Sequence, residues 1–131
     1  MRKLFVLFIF LLSSNVLLSQ VDISSRLQEA LNNANPSDYI KVLVLLRSQV
    51  DLATLDQQLY SQKSTMQQRA YQVITALKQN SENTQSNLRS YLEGKEESSE
   101  VFTFEAYWIS NMFMVEAKPN VIYELMNRMD V

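Results

Sequence analysis

The sequence predicts an α+β fold: one antiparallel sheet with helices on one face, one of them very long. Two stretches, residues 39–46 and 101–117, are rich in β-branched and aromatic residues at alternating positions. Between them, apolar residues from Met66 to Leu92 recur at spacings of three and four. One strand, a long helical pattern, then two strands in succession is the order of an antiparallel α+β sheet rather than a parallel one.

The chain opens with an address. Arg2 and Lys3 precede an unbroken apolar run, Leu4 to Leu12, and small or polar residues follow from Ser13 to Gln20. This is the order of a secretory signal peptide, and the run is too short to span a bilayer. Residues 1–19 are therefore expected to be cleaved after Ser19, with a retained anchor as the competing reading. Cleavage removes two positive charges and makes the chain more acidic. The expected location is secreted or periplasmic, with no membrane contact after cleavage.

Residues 20–38 are read as an N-terminal helix and turn, and residues 39–131 as the domain proper. Ile23, Leu27, Ala30 and Leu31 give helical spacing over Asp22–Asn33, with Ser24 or Asp22 as cap. Asn35, Pro36, Ser37 and Asp38 form a turn cluster. Tyr39–Leu46 is the first strand, with Ile40, Val42 and Val44 on one face and Lys41, Leu43, Leu45 and Arg47 on the other. Asp51 caps a short helix, Leu52–Tyr60. Ser64 and Gln67 have capping-box spacing. The long helix is expected over Thr65–Glu93, with a possible break in the polar stretch Asn80–Asn83. Gly94, the single glycine of the chain, stands where a left-handed residue would close it.

Lys95–Glu100 reads as a charged turn. Val101–Trp108 is the second strand, with Phe102, Phe104, Ala106 and Trp108 facing the helices. Ser110-Asn111 is a turn or bulge, and Met112–Ala117 the third strand. Pro119 suits the first turn of a helix over Asn120–Asn127, though Lys118 caps it poorly. Met129-Asp130-Val131 looks like the start of a further strand, truncated. The order is that of a ferredoxin-like split β-α-β-β-α(-β) plan.

Helices cover one face of such a sheet, and the other should be polar. Here it carries Leu43, Leu45, Val101, Tyr107, Met112 and Met114 among Lys41, Arg47, Thr103, Glu105 and Glu116. An apolar patch rimmed by charge marks a protein contact. The expected partner-binding residues are Leu43, Leu45, Thr103, Glu105, Tyr107, Met112 and Met114. The competing reading is that the N-terminal helix or Leu52–Tyr60 folds over this face.

No catalytic, metal or cofactor site is expected. The chain has no histidine and no cysteine, which removes the usual general base, zinc ligands and thiol nucleophile. Glu96, Glu97 and Glu100 lack the alternating spacing and turn glycine of a calcium loop. Ser24, Ser25, Ser98 and Ser99 read as cap and turn residues, and Trp108 as core. The net charge of −2 argues against nucleic acid.

Several stretches resemble the N-terminal propeptide of subtilisin-like serine proteases, closest to the bacillopeptidase-F-like branch. They are Tyr39–Leu46, Asp51-Leu52 opening a helix, the Gln-rich long helix, Tyr107–Val115 with its Trp108 and Asn111, and Pro119–Leu125 leading to Met129-Asp130-Val131. The resemblance implies an intramolecular chaperone and inhibitor of a serine protease domain, in cis or in trans. The open sheet face would pack on the protease, and the free chain would be a monomer. The chain departs from that pattern in lacking a catalytic domain and in stopping at Val131, short of a tail that would enter the cleft. It is thus expected to be a fragment of a longer precursor or a stand-alone inhibitor-like protein. The alternative function is an exported structural or adhesion module associating through the long Met66–Leu92 helix.

Overall fold

The structure, a computed structural model, describes residues 23–131, so the expected signal peptide and Asp22 lie outside the described residues. Seven elements follow in order: α1 (Ser25–Asn33), β1 (Ile40–Leu45), α2 (Leu52–Ser61), α3 (Met66–Glu97), β2 (Val101–Tyr107), β3 (Met112–Ala117) and α4 (Pro119–Met126). The fold is α+β, with a three-stranded sheet ordered β1-β3-β2. β3 lies between the other two and is antiparallel to both, so β1 and β2 run in the same direction.

Leu31 of α1, Leu88 and Leu92 of α3 and Val121, Ile122 and Leu125 of α4 share one core with Val44, Leu46, Val101, Phe113, Val115 and Ala117 of the sheet region. These three helices therefore cover the same face. Side chains as large as Phe113 and Leu92 are fully buried, each contributing about 1.5–3 kcal/mol of transfer free energy. α2 stands apart. Its one buried residue, Leu59, is not part of the main core, and the helix packs on α3.

The helix ends show which side chains set them. Ser24 accepts the Leu27 N–H at the start of α1. Asp51 accepts the Thr54 N–H and hydroxyl, and these bonds hold its carboxyl below the usual range. The capping box of α3 is formed by Thr65 and Gln68, one residue beyond the expected Ser64 and Gln67. Lys118 makes no side-chain cap to α4, as expected.

Five further expectations are corrected. The long helix does not stop at Gly94; it runs through it to Glu97, for about 48 Å. Lys95 bridges to Glu100 and Glu124, which favours the extra turn, and the left-handed residue that closes it is Ser99, at φ 57°. The helix is also continuous through Asn80–Asn83, where Asn80 is held by the loop after β1: its amide donates to the Ser48 carbonyl at 2.8 Å, while the Ser81 hydroxyl donates within the helix to the Lys78 carbonyl at 2.9 Å. Third, a register shift between Val101 and Thr103 turns Val101 into the core and Phe102 out, 64% exposed. Fourth, Trp108 lies in the β2–β3 turn, half-buried under the Lys78 ammonium 5.4 Å from its ring, rather than in the core. Finally, Met129–Val131 forms no strand, although the Asp130 carbonyl accepts the Arg47 N–H at 2.9 Å.

Candidate interaction surface

Alternation puts odd-numbered residues of β1 and β2 and even-numbered residues of β3 on the face away from the helices. The register arranges them in three cross-strand rows. Lys41 and Thr103 flank Glu116; Leu43 and Glu105 flank Met114; Leu45 and Tyr107 flank Met112. All seven residues expected to bind a partner, Leu43, Leu45, Thr103, Glu105, Tyr107, Met112 and Met114, therefore lie on one continuous surface. Val101, grouped with this face in the sequence, is in the core instead.

The surface is open. Leu43 is 62% and Leu45 55% exposed, and the two methionines are half-buried between the flanking strands. α1 shares the core on the opposite side and α2 packs on α3, so neither helix covers the patch. Two of its rows are dominated by apolar groups, with thioethers at the centre that can adapt to an irregular partner.

Polar groups fix its borders. Lys41 Nζ pairs with Glu116 at 3.2 Å, neutralising the charge in the outermost row. The Tyr107 hydroxyl donates to Glu105 at 2.7 Å, and that carboxylate raises the phenol pKa. Glu105 thus accepts from its own neighbour and retains acceptor capacity for a donor from outside.

Sequence reasoning missed an aromatic extension of the patch. Phe102, expelled by the bulge, packs on Tyr39 with ring centroids 5.6 Å apart. The Tyr39 hydroxyl donates to the Ser99 carbonyl at 2.8 Å, and the Lys118 ammonium sits 5.7 Å from its ring. No local signal marked it: regular alternation turns Phe102 inward and Val101 outward, and only the register shift between Val101 and Thr103 reverses the two.

Two shallow clefts lie elsewhere. One is bordered by Leu31, Pro36, Glu100, Lys118, Asn120 and Tyr123, the other by Glu82, Gln85, Arg89, Ala106 and Trp108. Among the described residues no group of three or more His, Cys, Asp or Glu side chains could hold a metal ion. Glu96 and Glu97 are exposed on the last turn of α3, and Glu100 is engaged by Lys95 and Asn120.

No protein-family profile, curated protein sequence or solved structure matches this chain.

Proposed function

We propose that this chain is a non-catalytic docking module of the subtilase-propeptide kind, acting outside the cytoplasm as folding chaperone and inhibitor of a subtilisin-like serine protease domain. The observation that carries the reading is the open sheet face: Leu43, Leu45, Met112, Met114 and Tyr107 form an apolar surface that no described helix covers. A soluble chain that exposes such a surface gains by burying it against a partner. The order β1-β3-β2, with every neighbouring pair antiparallel, supports a ferredoxin-like split plan, and the Asp130 carbonyl beside Arg47 lies where a strand after α4 would begin. A chaperone of this kind works by mass action, lowering the free energy of whichever protease state matches its surface.

The test mixes residues 20–131 with subtilisin-like proteases and follows peptide hydrolysis. The same chain is added to a denatured protease domain during refolding. Slower hydrolysis and a higher refolded yield are expected. Unchanged rates and yields across several such proteases would rule the reading out.

A second reading has its own observation. Tyr60, Met66, Tyr71 and Ile74 are exposed on the α2–α3 hairpin, at 75%, 86%, 70% and 45%. They favour a structural or adhesion module that self-associates through this arm. Sedimentation separates the two: a monomer supports the docking module, and a stable oligomer dispersed by Tyr71→Ser supports the arm.

A further inference from the structure

We propose that the cleft between α3 and β2 is a binding site for an acidic saccharide, a uronate-type sugar held on Trp108 and on the α3 residues beside it. The cleft has a volume of about 350 Å³, at the small end of the range for ligand clefts. Both of its walls come from residues 78–108, so the site draws on neither end of the described chain. It is also separate from the open sheet face, and the two readings stand or fall independently.

The floor is polar and held in place. Gln85 and Ser81 are only 7% and 4% exposed. The Ser81 hydroxyl is tied to the Lys78 carbonyl at 2.9 Å. Gln85 Nε2 donates to the Tyr107 carbonyl at 3.2 Å, which fixes the amide and leaves Oε1 to accept from a ligand hydroxyl. A glutamine buried this deeply is uncommon.

The charges define the ligand. Lys78, Glu82, Gln85 and Arg89 follow one another at spacings of four, three and four, one stripe of α3. Among the described residues, neither Lys78 nor Arg89 belongs to an ion pair. Lys78 stands over the Trp108 ring, 5.4 Å from its centroid, rather than on Glu82 one turn further along. The Arg89 guanidinium lies 5.8 Å from the centroid of the Phe113 ring. Two cations against one carboxylate make this cleft positive, on a chain whose net charge is −2. Its complement is a ligand that carries a carboxylate.

The indole supplies the rest. Its π face attracts either a cation or the polarised C–H groups of a sugar ring. Lys78 is exposed, so it can turn from the ring to the ligand carboxylate and leave that face to the sugar. Arg89 then donates to the same carboxylate, while Glu82 and Gln85 Oε1 accept from hydroxyls. A simple anion would use the cations but neither the ring nor the acceptors. A neutral sugar would leave the cations unpaired.

Trp108 is the single tryptophan of the chain, so intrinsic emission reports on this cleft alone. Digalacturonate is titrated into residues 20–131, with its dimethyl ester and acetate as controls. A saturable change in emission is expected with digalacturonate. The uncharged ester should bind about tenfold more weakly, the loss of charge-assisted contacts, and acetate should give no saturable change. Arg89→Ala should weaken digalacturonate binding by about tenfold while melting near the parent chain; should that variant not fold, the ester carries the same comparison. Amide chemical shifts of residues 78–89 are the second readout, for binding that leaves the emission unchanged. No saturable change in either readout overturns the proposal. Equal affinity for acid and ester overturns it, since the site then ignores charge. A response to acetate equal to that for digalacturonate overturns it as well, leaving a simple anion site. Unchanged affinity in Arg89→Ala puts the ligand elsewhere and has the same consequence.

Discussion

Asn111 donates its side-chain amide to the backbone carbonyl of Ser48 at 2.6 Å, although 63 positions separate them. The same amide donates to the Thr84 hydroxyl at 2.9 Å, and Asn80 of α3 donates to the same Ser48 carbonyl. One buried side chain at 2% exposure thus ties the loop after β1, the β2–β3 turn and the middle of α3 together. Asn111 also takes φ 41°, a conformation asparagine tolerates better than other non-glycine residues. Asn111→Ala loses both bonds and places an ordinary Cβ in the left-handed region, and should cost about 3 kcal/mol. Asn111→Gly loses the bonds but not the backbone freedom, and should cost about 1 kcal/mol less than the alanine variant. Urea unfolding of both variants checks the ordering; equal losses would mean that the backbone conformation contributes nothing.

Gly94 offers the opposite case. It lies inside α3 with negative φ, and a Cβ added there meets nothing within 4 Å. Gly94→Ala should therefore stabilise the protein by about 1 kcal/mol, through helix propensity and a less flexible unfolded chain. A rise in melting temperature is expected, and a fall would mean that α3 opens at this residue.

These two residues also show what was legible in the sequence. Strand and helix periodicity located β1, β3, α2 and α4 to within a residue or so, because local alternation decides which side chains face the core. Gly94 misled because a helix end is set by what the next turn can bond to, and Lys95 finds Glu100 and Glu124 only in the folded chain. Asn80–Asn83 looked like a weak point because the partner of Asn80, the Ser48 carbonyl, is distant in sequence. The open face was readable from period-two spacing in three strands. Phe102 was not, since a bulge shifts one residue out of a pattern that looks regular.

A polar network at the far end of α3 should make stability depend on pH at both extremes. Glu124 accepts from the Tyr91 hydroxyl at 2.5 Å and from Lys95, and those bonds hold its carboxyl low. Glu100 is lowered chiefly by Lys95, and Asp130 by Arg128. A carboxylate with a folded pKa below its unfolded one contributes stability above about pH 4, lost as pH falls through the folded value. Tyr91 is pushed up to about 12, mainly by burial and then by Glu124. Its contribution is present below about pH 10 and is lost as pH rises toward the folded value; Lys95, raised by Glu124 and Glu100, acts in the same sense. Unfolding free energy should therefore be flat near neutrality and fall on both sides. Glu124→Gln should flatten both limbs, and an unchanged profile would show that the network does not govern either.

α2 should open without the rest of the molecule. Leu59, its only buried residue, belongs to no cluster shared with the sheet, and the Asp56–Arg69 ion pair that joins α2 to α3 is exposed. Exposed pairs contribute about 0–1 kcal/mol, too little to hold a ten-residue helix by themselves. Leu59→Ala should speed amide exchange in α2 and the first turns of α3 while leaving the exchange of β3 amides near that of the parent chain. Equal acceleration in β3 would show that α2 unfolds only with the core.

The docking surface predicts a separation of stability from binding. Leu43 and Leu45 are mostly exposed in the free chain, so Leu43→Thr with Leu45→Thr removes little buried area and puts β-branched side chains, which suit a strand, in their place. Stability should change by less than about 1 kcal/mol. In a docked complex each leucine would be covered, and losing it should weaken binding by about 1.5 kcal/mol, roughly tenfold per site. The double variant should thus melt close to the parent yet inhibit a responsive subtilisin-like protease about a hundredfold less well, two such tenfold losses combined. The arm residues provide the control: Tyr60→Ser with Tyr71→Ser alters an equally exposed surface on α2 and α3 and should leave inhibition unchanged. Inhibition that survives the strand substitutions but is lost with the arm substitutions would move the docking site from the sheet to the hairpin.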